Sequence, residues 1–228
     1  MLTKEMLTIL STGKDTGWVA EPEAKRLFAL AGLEIPRFVC TDRTEEAVKF
    51  AREIGYPVVV KVVSPGVVHD SESGGVVKGI STNEALVASL DGIRQISGFA
   101  GAIIEETIEG IELIAGAKMD EQFGPTVLIG TGGTGAKICR DVTFGMAPLT
   151  EVDVEWMLNR LKGFVFLNGF RIAESFNIKP LITSVVRFSD LVMDLVDVME
   201  TIDVNLVVCS GNRCVIENAR IRLNPEYC

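Results

Sequence analysis

The stretch from Gly55 to Ile80, GYPVVVKVVSPGVVHDSESGGVVKGI, constrains the fold most. Two β-branched runs, Val58 to Val63 and Val76 to Ile80, predict a pair of strands joined by a polar loop. Lys61 interrupts the first run. An ammonium among buried valines is costly if unpaired, so it must snorkel to water or meet an anion. The loop carries His69, the chain's only histidine, then Ser71, Glu72 and Ser73. Gly74 and Gly75 follow, where backbone can approach a ligand closely and offer N–H groups. Lys78 sits in the second run. Lysines, a histidine, hydroxyls and a glycine pair on one loop suit a phosphate group. The residue types alone fit an ordinary hairpin with solvated ends equally well.

Composition narrows the partners. The 228 residues allow one large domain or two small ones, and 47% hydrophobic content is ample for a core. A net charge of −9 gives no general field for a nucleic-acid backbone, so nucleic acid is not expected as a partner. Any phosphate site must be built locally, from Lys61, Lys78 and backbone amides. No apolar run is long enough to span a membrane. The opening MLTKEMLTILSTGKDTG lacks a secretory signal's apolar core, which predicts a cytoplasmic location. Five cysteines are an odd number. Cys209 and Cys214 flank the turn Ser-Gly-Asn-Arg and are expected to face each other across a hairpin, as reduced thiols or as a metal or redox pair.

Along the chain, residues 1–20 read as a leader with an amphipathic turn or two around Met6, Leu7 and Leu10. Glu21 to Ala31 predicts a helix with Pro22 in its first turn and Gly32 past its end. Arg37 to Thr41 predicts a strand, and Thr44 to Ile54 a helix capped by Thr44 and stopped by Gly55. After the strand pair, Ser81 with Glu84 predicts a capping box and a helix to about Ser97. Ala102 to Glu105 is a strand, followed by a connector from Glu105-Glu106-Thr107 to Gly110. Strands at Ile111 to Lys118 and Thr126 to Gly130 flank a break at Phe123-Gly124-Pro125, and Lys137 to Phe144 is extended. Thr150 with Asp153 starts a helix to Leu161. Ser189 to Thr201 reads as the most periodic helix, and strands Ile202 to Cys209 and Cys214 to Ile221 close the chain. Mixed elements without strict βαβ alternation argue for α+β. The expected division is 1–20 leader, 21–102 first subdomain and 103–228 second subdomain.

Three motifs carry candidate chemistry. Gly130-Thr-Gly-Gly-Thr-Gly135 matches G-x-G-x-x-G, but the residues after it do not look helical, as a dinucleotide fingerprint requires. A Walker loop would need lysine directly after the second glycine, where Ala136 stands. Glu105, Glu106 and Glu112 place three carboxylates at the connector, ordinarily a solvated edge. Asp203 and Asn205 alternate on a strand, with Asn218 expected on the next one. Together they are a set of hard oxygen ligands able to hold Mg²⁺, or else a polar strand face.

Taken together, GYPVVVK, the VH loop, SxxGGV, EETIEGIELIAGAKMDEQFGP, IGTGGTGAKICRDVTFGMAPL, DVNLVV and ENARI resemble, in register, the ATP-grasp subunit of the ADP-forming acyl-CoA synthetases. The resemblance runs from about Glu21 to Leu223. It implies an ATP-grasp fold of two α+β subdomains with a nucleotide cleft between them. It further implies that Lys61, Ser73, Gly74, Gly75, Glu105, Glu106 and Glu112 bind ATP or ADP. Asp203, Asn205 and Asn218 would hold Mg²⁺. His69 would relay a phosphoryl group between a partner's phosphohistidine and the nucleotide, a role that imidazole's nucleophilicity suits. The family's CoA-binding portion is not within these residues, so a CoA-binding α subunit is implied as partner, in a hetero-oligomer or with a homodimeric subunit.

Five positions depart from the family pattern: Asp70 after the histidine, Lys137 in the Gly-rich loop, Gly145 after Phe144, Leu206 after Asn205, and Asn218 in place of an aspartate. Two further readings therefore stand beside the synthetase: a catalytically silent nucleotide-binding or regulatory subunit of the same family, and another ATP-grasp ligase.

Overall fold

The computed structural model describes residues 1–64, 74–133, 141–164, 177–210 and 212–228, with the backbone alone for 205–210. The chain forms two compact units: 36–108, and 1–35 together with 109–228. This division differs from the expected one at both ends. The supposed leader contains helix α1 (Lys4–Ser11) and strand β1 (Trp18–Val19). Thr3 caps α1 by accepting from Met6 N, and α1 buries Met6, Ile9 and Leu10. β1 pairs with the last strand, so the chain's two ends share one sheet.

The smaller unit holds β2 (Phe38–Thr41), α3 (Thr44–Ile54), β3 (Val58–Val63), β4 (Val76–Ile80), α4 (Asn83–Ile93) and β5 (Gly101–Glu106). Its antiparallel sheet has the order β2-β5-β3-β4. Ala47 and Ala51 of α3 and Leu86, Leu90 and Ile93 of α4 pack on Val58, Val60, Val62, Ala102 and Ile104. The residues alternating with these, Val59, Lys61, Ile103 and Glu105, occupy the other face. Two caps differ from expectation. Thr82, not Ser81, caps α4 by accepting from Ala85 N. Arg43, not Thr44, is the α3 cap residue, and it makes no side-chain cap bond. Gly55 ends α3 with φ +88°, a conformation that favours glycine.

The larger unit adds α2 (Glu21–Leu30), β6 (Ile111–Asp120), β7 (Gly124–Thr131), β8 (Val142–Met146), α5 (Glu151–Arg160), α6 (Ile178–Asp194), β9 (Met199–Ser210), β10 (Arg213–Ile216) and β11 (Arg220–Leu223). The sheet runs β1-β11-β9-β6-β7-β8, with β10 beside β9. All its pairings are antiparallel. One face is core: Leu113, Ala115, Val127, Ile129, Ile202 and Val204 pack with Leu27 and Phe28 of α2, Met157 of α5 and Phe188 of α6. Glu112, Lys118, Phe144, Met146 and Asp203 stand exposed on the opposite face.

Thr150 and Asp153 form the expected capping box of α5. The last helix lies elsewhere than expected. It spans Ile178–Asp194, capped by Asn177, while Met199 to Thr201 opens β9. The apolar period runs from Leu181 through Leu191 and continues at Leu195 and Val198, which are buried after the helix has ended. Periodicity alone therefore overshoots the helix end.

Candidate nucleotide and metal site

Lys61 meets an anion rather than water. Its Nζ lies 2.7 Å from Glu105 Oε1, and the two residues are 1% and 0% exposed. The register explains the meeting. Lys61 lies opposite Ile103, and Glu105 lies two residues further along β5, a diagonal neighbour on the same face. Glu106, one residue on, points to the other face and belongs to a different pair. Its carboxylate accepts from Arg37 N at 3.0 Å and Arg37 Nε at 2.9 Å. Glu106 N donates back to Arg37 O at 3.1 Å, so backbone and side chains together close a clasp at the two ends of the smaller unit. Gly74 adopts φ +72°, and the Gly75 carbonyl accepts from Val62 N at 2.8 Å. His69 and Ser73, with Asp70, lie outside the described residues.

In the larger unit Glu112 is exposed near one end of β6. Gly132 N donates to Glu112 O at 2.9 Å. A Cβ at Gly132 would sit 2.7 Å from the Glu112 carbonyl carbon, and one at Gly133 would sit 3.1 Å from Glu112 Oε2. A side chain at Gly132 is thus excluded by the Glu112 backbone, and one at Gly133, with φ +74°, would be strained. Asp141, which the sequence reading missed, braces the far end of the loop. Its carbonyl accepts from Thr131 N at 3.1 Å, and its carboxylate accepts from Lys162 N and Gly163 N at 2.9 and 2.7 Å. The dipeptide Arg-Asp before a strand carries no signal of this role. Gly135 and Lys137 lie outside the described residues.

Register sets two of the metal candidates opposite each other. β9 opposes β10 at Val207↔Ile216 and β11 at Asp203↔Arg220, in one unbroken count. Asn218, in the link between β10 and β11 rather than on a strand, therefore falls opposite Asn205. Cys209 and Cys214 are register partners, as expected. Leu113 pairs with Val207 but Ala115 with Val204, so two residues of β9 oppose one of β6. A bulge at Asn205-Leu206 re-aims the chain there. Asp203 stands exposed beside Gly116 on the open face. One carboxylate with two amide oxygens is a hard-oxygen set that suits Mg²⁺, though weak in charge. Among the described residues no group of three or more His, Cys, Asp or Glu side chains could hold a metal.

Gly145 stands apart from the other departures. A Cβ there would meet Leu149 Cδ2 at 2.7 Å and Met157 Sδ at 2.8 Å, so position 145 faces the helix-covered core, while Phe144 and Met146 face outward. Among the described residues no helix is long and apolar enough to cross a membrane.

Comparison with known proteins gives the family. An ATP-grasp domain model matches residues 10–223. The β subunit of the Pyrococcus furiosus acetate–CoA ligase (ADP-forming) I is 35% identical over 213 residues, covering 90% of this chain and 91% of that protein. The β subunit of isoenzyme II from the same organism is 33% identical, with 94% of each covered. The acetyl-coenzyme A synthetase 1 of Candidatus Korarchaeum cryptofilum has been solved with coenzyme A and Mg-AMPPCP, its phosphohistidine segment pointing towards the nucleotide-binding site. It superposes with a TM-score of 0.83 at 34% identity, over 96% of this chain and 100% of that one. With the domain model and these relatives covering most of its length, the chain belongs to the ATP-grasp family, among the β subunits of the ADP-forming acyl-CoA synthetases.

Proposed function

We propose that this chain is the nucleotide-binding subunit for the reaction acyl-CoA + ADP + phosphate ⇌ carboxylate + CoA + ATP. The observation that carries the reading is the packing of Gly132 and Gly133 against Glu112, backbone to backbone at Gly132 and beside the carboxylate at Gly133, on the open face of the larger sheet. A base or ribose donor could meet Glu112 there while the loop's backbone lies close. Within the smaller unit, Lys61, buried against Glu105, is the proposed phosphate ligand. Asp203, Asn205 and Asn218 would hold Mg²⁺, which when bound neutralises phosphate charge. His69 accepts a phosphoryl group from a phosphohistidine of a CoA-binding α subunit and passes it to ADP, ending unmodified. The assembly is a cytoplasmic hetero-oligomer.

The test is direct. The chain is mixed with a CoA-binding α subunit, acyl-CoA and labelled phosphate. An acid-labile, base-stable phosphate should appear on this chain and be absent from His69→Ala. Asp70→Lys should raise the labelling, since an adjacent negative charge opposes the incoming phosphoryl group. The relay fails if neither the native chain nor Asp70→Lys is labelled while the α subunit itself is phosphorylated.

One observation favours a second reading, a silent nucleotide-binding subunit. Asn218 opposite Asn205 leaves the metal position with two neutral amides where the family pattern has a carboxylate. Calorimetry with MgATP and MgADP separates the readings from any that lacks nucleotide binding.

A further inference from the structure

Three stretches of the larger unit meet at Asp141: the end of β7, the start of β8 and the turn after α5. The two carboxylate oxygens of Asp141 each accept from one of two consecutive amides. Oδ1 takes Lys162 N at 2.9 Å and Oδ2 takes Gly163 N at 2.7 Å. Its carbonyl accepts from Thr131 N at 3.1 Å. The packing around it leaves no room for further side chains. A Cβ at Gly163 would sit 2.5 Å from Thr131 Cγ2, and one at Gly130 would sit 2.9 Å from the Asp141 carbonyl oxygen. Thr131 is therefore held from two sides, by the Asp141 backbone and by the turn that the Asp141 carboxylate grips. The next residue, Gly132, is the one whose N–H donates to the Glu112 carbonyl at 2.9 Å. The turn does not need the carboxylate for attachment, since Leu161 and Phe164 on either side of the gripped amides are buried in the core. What the carboxylate adds is direction. Only a side chain with two accepting oxygens can take both amides, and an asparagine would turn N–H donors toward one of them.

We propose that Asp141 is a positioning residue for the nucleotide site, holding Thr131 and Gly132 in place against Glu112. The proposal rests on the reading that Glu112 faces the nucleotide, and adds to it a residue that acts through Glu112.

The test is a double-mutant cycle on MgATP affinity, measured calorimetrically on the full chain with Asp141→Asn, Glu112→Gln and the two combined. Asp141→Asn should weaken MgATP about tenfold, the scale of one charge-assisted hydrogen bond. In the Glu112→Gln background the same substitution should cost less than about twofold, because the group being positioned is gone. A merely structural role would lower affinity by the same factor in both backgrounds. Gly163→Ala reaches the same contact from the other side, by displacing Thr131. It should also weaken MgATP, and adding Thr131→Ser, which removes the obstructing methyl group, should restore binding. This pair decides the matter if Asp141→Asn does not fold. Unchanged affinity in Asp141→Asn, equal loss in both backgrounds, or a loss in Gly163→Ala that Thr131→Ser does not restore overturns the positioning role and leaves the nucleotide reading standing. A native chain that does not bind MgATP, or Glu112→Gln binding as the native chain does, overturns that reading and the positioning role with it.

Discussion

Lys61 Nζ and Glu105 Oε1 meet at 2.7 Å on the face of the smaller sheet that α3 and α4 do not cover. Both side chains are buried, so each charge is kept by the other. This makes the obvious test of Lys61 ambiguous. Lys61→Met removes the proposed phosphate ligand and also breaks a buried ion pair, which costs about 3–5 kcal/mol of stability. The double variant Lys61→Met, Glu105→Leu removes both charges and should recover most of that stability in urea unfolding. Its affinity for MgATP should remain lowered by about 1.5–3 kcal/mol. If affinity recovers together with stability, Lys61 is a structural residue.

Glu106 is engaged by Arg37 through one backbone and one side-chain donor. Arg37 is 61% exposed at its side chain, so the ionic part alone contributes about 0–1 kcal/mol. Arg37→Ala should therefore hardly move the unfolding midpoint, because Glu106 keeps the backbone amide. Glu106→Ala loses both donors and should cost about 1–2 kcal/mol. Comparing MgATP affinity in the two variants assigns Glu106. If it contacts nucleotide, Glu106→Ala weakens binding and Arg37→Ala does not. Equal loss in both would make the clasp, rather than the carboxylate, the requirement.

The sequence could state that Lys61 needs an anion but not which one, because Glu105 is brought to it only by the pairing of β3 with β5. The hairpin of Cys209 and Cys214 was legible because a turn sequence sits between two apolar runs and fixes the register. The bulge at Asn205-Leu206 was not, since it arises from how β9 meets β6, a neighbour far away in the chain. The leader failed as a leader because the partner of Trp18 and Val19 is β11, at the other end of the sequence. Gly145 illustrates the same limit: alternation on β8 could not say which face was core until α5 was in place.

Asn218 lies opposite Asn205 by register, with Asp203 two residues along β9. Replacing a neutral amide by a carboxylate raises affinity for a hard cation. Asn218→Asp should tighten Mg²⁺-dependent ADP binding and lower the Mg²⁺ concentration at half-saturation, with ADP binding in EDTA unchanged or weakened by the added charge. An unchanged Mg²⁺ dependence would remove this strand pair from the metal site.

Gly145 and Met157 supply the last prediction. A Cβ at 145 would sit 2.8 Å from Met157 Sδ and 2.7 Å from Leu149 Cδ2, inside the core contact of β8 with α5. The glycine has no positive φ to protect, so its requirement is purely one of space. Glycine ordinarily weakens a strand, and alanine there should otherwise help. Gly145→Ala should instead destabilise by about 1–3 kcal/mol, toward the low end because methionine is adaptable. In a Met157→Ala background the space is open, and the same substitution should be neutral or stabilising. That reversal of sign is a coupling of contacting residues, readable as a double-mutant cycle on unfolding free energy. MgATP affinity should stay constant throughout, because position 145 faces the helices and not the face that carries Glu112 and Asp203. Additive effects would show that 145 and 157 do not touch. A change in nucleotide affinity would return Gly145 to the site.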